Sequence, residues 1–325
     1  MQVSSWLWML FAALVLALLA VDLGVFRASR RGPREVTLRS AAWWSAAWIG
    51  LSLAFALIIL VVHGATPALT YLTAYVLEKS LSVDNVFVFV LIFSELRIPA
   101  EQQRRVLYWG VLGALVVRAV LIAGGVFLLR RFQWVTYPFA ALVIFAAVRL
   151  IWGREKEREL VATACAVCGS WVARIIPITP VLRGGSFWVR QRGGLVATPL
   201  FIALVVVETT DVIFALDSIP AVFAVTTDLF LVYTSNVFAM LGLRSLYFLL
   251  AGVVERFRFL RAGLAAILAF VGVKLLLSGV VEIPTWVSLA VIATALTLAV
   301  AASVAIPRGM AQVPADGADR FSHPP

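Results

Sequence analysis

The chain of 325 residues is 62% hydrophobic and only 14% charged, with a mean hydropathy of +1.00; soluble domains run near half apolar and about a quarter charged, so water is not its main solvent. Its formal net charge of +10 does not imply a nucleic-acid partner, because the Lys and Arg lie between apolar runs instead of gathering on one face. Its two cysteines, Cys165 and Cys168, form a lone C-x-x-C: no disulfide framework follows, and without a second Cys or His pair the zinc signal is weak.

A bilayer core of about 30 Å takes roughly 20 apolar residues of helix. Such runs cover Ser5 to Phe26, Ala41 to Val62, Pro67 to Phe93, Val106 to Leu129, Phe132 to Trp152, Pro199 to Val225, Leu229 to Val254, Ala262 to Val281 and Trp286 to Ile306. The expected fold class is therefore all-α, a polytopic transmembrane bundle of about nine spans. No Lys or Arg precedes the first run, which does not suit a signal peptide.

The expected organisation is two N-terminal transmembrane helices with a basic cytoplasmic loop over 1–63, a three-helix unit over 64–152, a cytoplasmic loop over 153–198, a second three-helix unit over 199–281, a last transmembrane helix over 282–306, and a disordered cytoplasmic tail over 307–325. Within the long loop, Gly184-Gly185 and Gly193-Gly194 around Ser186 to Arg192 suggest a small hairpin. Lys and Arg follow spans one, three, five and seven, while the intervening loops carry none apart from Arg130 and Arg131. The positive-inside rule then puts the amino terminus outside and the carboxyl terminus in the cytoplasm, in a bacterial-type inner membrane. Trp6, Trp8, Trp43, Trp44, Trp134, Trp152 and Trp286 lie near span ends, as headgroup anchors do. Gly110, Gly113 and Gly272 fit close helix packing.

The segment Glu78-Lys-Ser-Leu-Ser-Val-Asp84-Asn85-Val-Phe aligns without gaps on Asp211-Val-Ile-Phe-Ala-Leu-Asp217-Ser218-Ile-Pro. Arg118 matches Arg244, Phe145-Ala-Ala-Val-Arg149 matches Phe270-Val-Gly-Val-Lys274, and Thr66-Pro67 and Thr198-Pro199 each suggest a capping Thr before a first-turn Pro. Spans three to five thus recur as spans six to eight. An odd number of spans per unit makes the second unit inverted, the plan of many secondary transporters, whose sites lie near the midplane.

Glu78, Asp84, Glu208, Asp211 and Asp217 all fall inside apolar runs, where each costs about 3 kcal/mol or more at the bilayer centre. Glu78, Ser82, Asn85 and Phe89 share one helical face, and Glu208, Asp211, Ala215 and Ser218 another. Asp84 and Asp217 lie about 100° away, so they either enter a second crevice or sit on unwound helix. Pro220, which leaves the Leu216 carbonyl without a donor, favours unwinding in span six. The acids with Asn85, Ser218, Thr209, Thr210 and Asn236 make an all-oxygen set, suited to Mn²⁺, Mg²⁺ or Ca²⁺ rather than to Zn²⁺ or Cu. The bland alternative is a set of buried ion pairs, for which Lys79, Arg118, Arg149, Arg244 and Lys274 supply the charge.

At these residues the sequence closely resembles the TerC family, which includes tellurite-resistance-associated proteins and manganese exporters. The resemblance rests on Glu78-Lys-Ser-Leu-Ser-Val-Asp-Asn-Val-Phe, on Glu208-Thr-Thr-Asp-Val-Ile-Phe-Ala-Leu-Asp-Ser-Ile-Pro, on Thr234-Ser-Asn-Val-Phe-Ala-Met-Leu-Gly-Leu-Arg and on Phe257-Arg-Phe-Leu-Arg, and it runs from about Ala41 to Val304. It implies export of Mn²⁺, with Glu78, Asp84, Asp211 and Asp217 as metal or proton carriers. Glu208 departs from the family pattern, where a small residue is expected, and Cys165-Ala-Val-Cys168 is not a family hallmark.

The leading expectation is a transporter, not an enzyme, that moves a divalent cation outward in exchange for protons and holds no permanent cofactor. The competing class is an assembly factor that helps other membrane proteins insert. The expected partners are lipid, the cation and protons, with a second copy of the chain or the insertion machinery as further candidates.

Overall fold

In a computed structural model of the chain, the described residues are 5–28, 38–151, 154–179, 185–191, 194–251, 259–281 and 283–305. The helices are α1 (Ser5–Ala28), α2 (Leu38–His63), α3 (Ala65–Glu95), α4 (Ala100–Arg131), α5 (Thr136–Ile151), α6 (Arg154–Ile175), α7 (Pro199–Phe223), α8 (Leu229–Leu241), α9 (Leu243–Leu250), α10 (Leu260–Leu277) and α11 (Thr285–Ala305). Six of them, namely α2, α4, α5 with the 3-10 turn before it, α7, α10 and α11, are long and apolar enough to cross a bilayer, and α8 with α9 makes a seventh. Helix α1 offers a shorter apolar stretch, Leu7–Ala20. Helix α3 has 31 residues, but Glu78, Lys79 and Asp84 interrupt its apolar character. The protein is an all-α polytopic membrane protein. The basic stretch 29–37 and the tail 307–325 lie outside the described residues.

Several local expectations change. Helix α3 begins at Ala65 with Gly64 as its N-cap at φ 89°, so Thr66 and Pro67 sit inside the first turn. A single glycine at positive φ reverses the chain between α2 and α3, a backbone conformation that a capping Thr would adopt only under strain. Thr198 does precede α7, yet its hydroxyl donates to the Ser186 carbonyl at 2.8 Å instead of capping the helix. That bond ties α7 to the hairpin β1 (Trp188–Gln191) and β2 (Gly194–Ala197), which pair antiparallel with their turn at 192–193 outside the described residues. Trp8 packs edge-on against Phe230 at 5.1 Å between ring centroids, inside the bundle. Trp43, Trp134 and Trp286 stay exposed, as anchors must.

The predicted seventh span is two helices. Helices α8 and α9 bend by 41° at Gly242. There Gly242 N–H turns to the Met240 carbonyl, and the Lys79 ammonium donates at 3.3 Å to the Ala239 carbonyl, which Leu243 N–H would take in an unbroken helix.

Helices α3, α4 and α5 interleave with α7, α8 and α10: α5 runs along α10, α4 along α7, and α3 along α8. Helix α2 covers α3 and α9, α11 covers α10 and α3, and α6 lies on α3 and α7. Glycines set the closest approaches. A Cβ on Gly110 would meet Val207 at 2.9 Å, and one on Gly272 would meet Ile144 at 2.6 Å. Gly125 faces the buried Phe223 ring, where a Cβ would come to 2.5 Å, whereas its neighbour Gly124 has nothing within 4 Å. Gly125→Ala is therefore expected to cost about 1–3 kcal/mol and to lower the thermal unfolding midpoint in detergent, while Gly124→Ala leaves it unchanged or slightly higher.

Candidate functional site

Arg118 of α4 is 1% exposed and reaches into the space between α3, α7 and α8. Asp211 takes two of its N–H groups side by side, Nε to Oδ2 at 3.2 Å and Nη2 to Oδ1 at 3.2 Å. This is the two-pronged match of guanidinium and carboxylate planes. The third nitrogen, Nη1, donates to Glu78 Oε1, to Asn236 Oδ1 at 3.0 Å and to Ser218 Oγ at 3.5 Å. Ser218 in turn donates to Glu78 Oε1 at 3.4 Å. The helical periods of α3 and α7 aim Glu78 and Asp211 at this point, and both are buried.

The cluster is not closed. Glu78 Oε2 and Asn236 Nδ2 are buried with no hydrogen-bond partner among the described residues. Two carboxylates share one guanidinium. Asn85 is buried on the same face of α3 as Glu78. Glu208 lies one turn before Asp211, with its carboxylate against Gly113 of α4. Thr209 and Thr210 donate to carbonyls of their own helix and keep their lone pairs.

Asp84 and Asp217 do not join this cluster. Helix α7 continues unbroken through Pro220 to Phe223, so the expected unwinding is corrected. Pro220 lies in the last turn, where one missing amide bond is tolerated while packing holds the helix. The acids instead meet arginines carried by α5 and α10. Asp217 pairs with Arg149 of α5 at 2.5 Å. Asp84 pairs at 3.3 Å with Arg261 of α10, which also pairs with Glu157 of α6 and lies 4.7 Å over the Phe87 ring. Burial, followed by the Asp84 charge, pushes the Glu157 carboxyl above its ordinary range against the pull of Arg261.

The remaining basic residues lie elsewhere. Lys79 is at the α8–α9 break, Lys274 donates to Ser288 of α11 at 2.8 Å, and Arg244 starts α9 near Arg104 of α4. Sequence reading missed Glu157 as a member of the charged set and took Arg261 for a loop charge. It also missed α6 as a helix, although Val161, Cys165 and Val172, at spacings of four and seven, form its buried face. Among the described residues, no three of His, Cys, Asp and Glu gather closely enough to hold a metal ion. Arg118 stands between the two innermost carboxylates.

The comparisons with known proteins agree on the family. The chain is 48% identical over 301 residues to "Uncharacterized membrane protein STKORF319" of Myxococcus xanthus, covering 93% of this chain and 92% of that one. It is 46% identical to "Putative membrane-bound redox modulator Alx" of Escherichia coli K12, over 88% of this chain and 90% of that one. The protein of the same name in Salmonella typhi is 44% identical over 90% and 92% of the two chains. No solved structure matches. The model of the integral membrane protein TerC family matches residues 63–310, all the helices that build the two charged clusters lie inside that range, and the chain belongs to this family.

Proposed function

We propose that this protein is a carrier that moves a divalent cation, Mn²⁺ by its fit to an all-oxygen set, out of the cytoplasm in exchange for protons. The observation that carries the reading is the Arg118 cluster: a buried guanidinium shared by Glu78 and Asp211, which occupy matching places in two helices. Ionisable groups this deep in a membrane protein are costly and mark ion pathways. In the cluster two carboxylates share one guanidinium, and among the described residues Glu78 Oε2 has no partner, which favours an incoming cation.

Arg118 here fills the place between the carboxylates that cargo would take. Loading therefore requires Arg118 to withdraw, so that a doubly charged ion replaces a singly charged one. The inverted-repeat reading fits the way α4 runs with α7 and α3 with α8, because exchanging the two units turns either pair into the other. Counting all of the predicted runs as spans puts the amino terminus outside and the carboxyl terminus inside.

The redox role in some relatives' names would find its residues in Cys165 and Cys168. Cys165 is buried, and burial pushes its thiol up to about 11, which opposes the thiolate that redox chemistry needs. A chain lacking both cysteines is expected to carry cation at the wild-type rate; a large loss would favour the redox role.

The deciding measurement is cation movement into inverted membrane vesicles, with Mn²⁺, Ca²⁺, Mg²⁺ and Zn²⁺ in competition. Wild type is expected to take up Mn²⁺ selectively, and Asp211→Asn and Asp217→Asn each to lose at least about tenfold while still inserting in the membrane. Unimpaired flux in both variants rejects the pathway, and an inactive wild type in sealed vesicles favours the assembly-factor class.

A further inference from the structure

Helix α6 is not among the helices long and apolar enough to cross a bilayer, yet it supplies a charge to the set around Asp84. Its seat against α3 and α7 is made by small buried side chains, Val161, Cys165 and Val172. Its specific fastening is Glu157, which pairs with Arg261. The same Arg261 nitrogen that holds Glu157 also holds Asp84 at 3.3 Å, and its guanidinium lies on Phe87, about two and a half helical turns beyond Glu78. Glu157, Arg261 and Asp84 are each less than one-fifth exposed, so the bridge is largely sequestered from solvent at the amino-terminal end of α6.

We propose that α6 is a gate over the Asp84 carboxylate and that Glu157 is its bolt, holding Arg261 across Asp84 until α6 lifts. The assignment rests on the carrier reading for its purpose, but its geometry is independent of any cargo. With Glu157 in place, Arg261 is fixed between two carboxylates and one aromatic face and covers Asp84 from α10. With Glu157 withdrawn, Arg261 loses one of the two carboxylates that fix it and can swing away from Asp84. Glu157 is thus a positioning residue that acts through Arg261.

Cys165 reports the motion, because it is buried in the seat of α6 and becomes accessible only when that seat opens. The experiment follows maleimide labelling of full-length protein in membranes, in a Cys168→Ala background where Cys165 is the sole thiol. Labelling of a transiently open site tracks the open population, so Glu157→Gln and Arg261→Gln are each expected to label roughly tenfold faster. Glu159→Gln, an exposed neighbour on the same helix, labels at the background rate. A single cysteine from Ala56→Cys, buried on α2 away from α6, stays slow when Glu157→Gln is added.

Two results overturn the gate: Cys165 labelling in Glu157→Gln no faster than background, or acceleration at position 56 equal to that at Cys165, which would mean the whole bundle has loosened. Because labelling requires no cargo, a wild type that carries no cation removes the carrier reading and leaves the labelling result standing.

Discussion

A guanidinium cannot be left alone in a low-dielectric interior. Moving such an ion out of water costs on the order of 20 kcal/mol in the idealised limit and several kcal/mol after relaxation. Arg118 is tolerated only because Asp211 takes two of its N–H groups while Glu78, Asn236 and Ser218 share a third nitrogen. Those partners come from α3, α7 and α8, so one side chain from α4 ties four helices. The glycines serve the same requirement. Gly110 and Gly113 lie on the face of α4 that meets Val207 and Glu208, and with no side chains there α4 lies close enough for Arg118 to reach Asp211.

The cluster is also poorer than stability alone would make it. An unmade hydrogen bond at a buried polar group costs about 1–3 kcal/mol, and among the described residues Glu78 Oε2 and Asn236 Nδ2 find no protein partner. An apolar centre would avoid it, and a buried ion pair is often no more stabilising than well-packed hydrocarbon. Polar groups buried this way, with two carboxylates on one guanidinium, are better accounted for by a task than by architecture. That argument favours the carrier over the set of purely structural ion pairs.

Much of this centre was legible in the chain. The five-residue gap between acids, repeated in two apolar runs, identified α3 and α7, and the period of 3.6 put Glu78, Ser82 and Asn85 on one face and Asp211 and Ser218 on another. The same period showed that Asp84 and Asp217 point elsewhere. It could not say where, because their partners Arg149, Arg261 and Glu157 come from three other helices. Pro220 was read as a break because local rules forbid its amide bond, yet packing kept α7 whole. The true break at Gly242 was hidden, since a lone glycine in an apolar run has no local mark. Lys79 was counted as a counter-charge to the acids, but consecutive residues on a helix point about 100° apart; Glu78 faces Arg118 while Lys79 faces the α8–α9 break. Helix α6 escaped because its charged first turns resemble a basic loop and its buried face is only three small residues wide.

The two sets of charges share helices but no side chains. On α3, Glu78 and Asp84 are six residues apart, about 9 Å along the axis, and the same spacing separates Asp211 from Asp217 on α7. Arg118 serves the first acid of each pair, while Arg261 and Arg149 serve the second. A carrier must not open its binding position and its access route to both sides at once. Separate arginines let each set rearrange while the other stays paired, and rigid helical segments joining the acids allow a shift in one layer to be felt in the other. Had one arginine bridged all four acids, rearranging one layer would have unpaired the other.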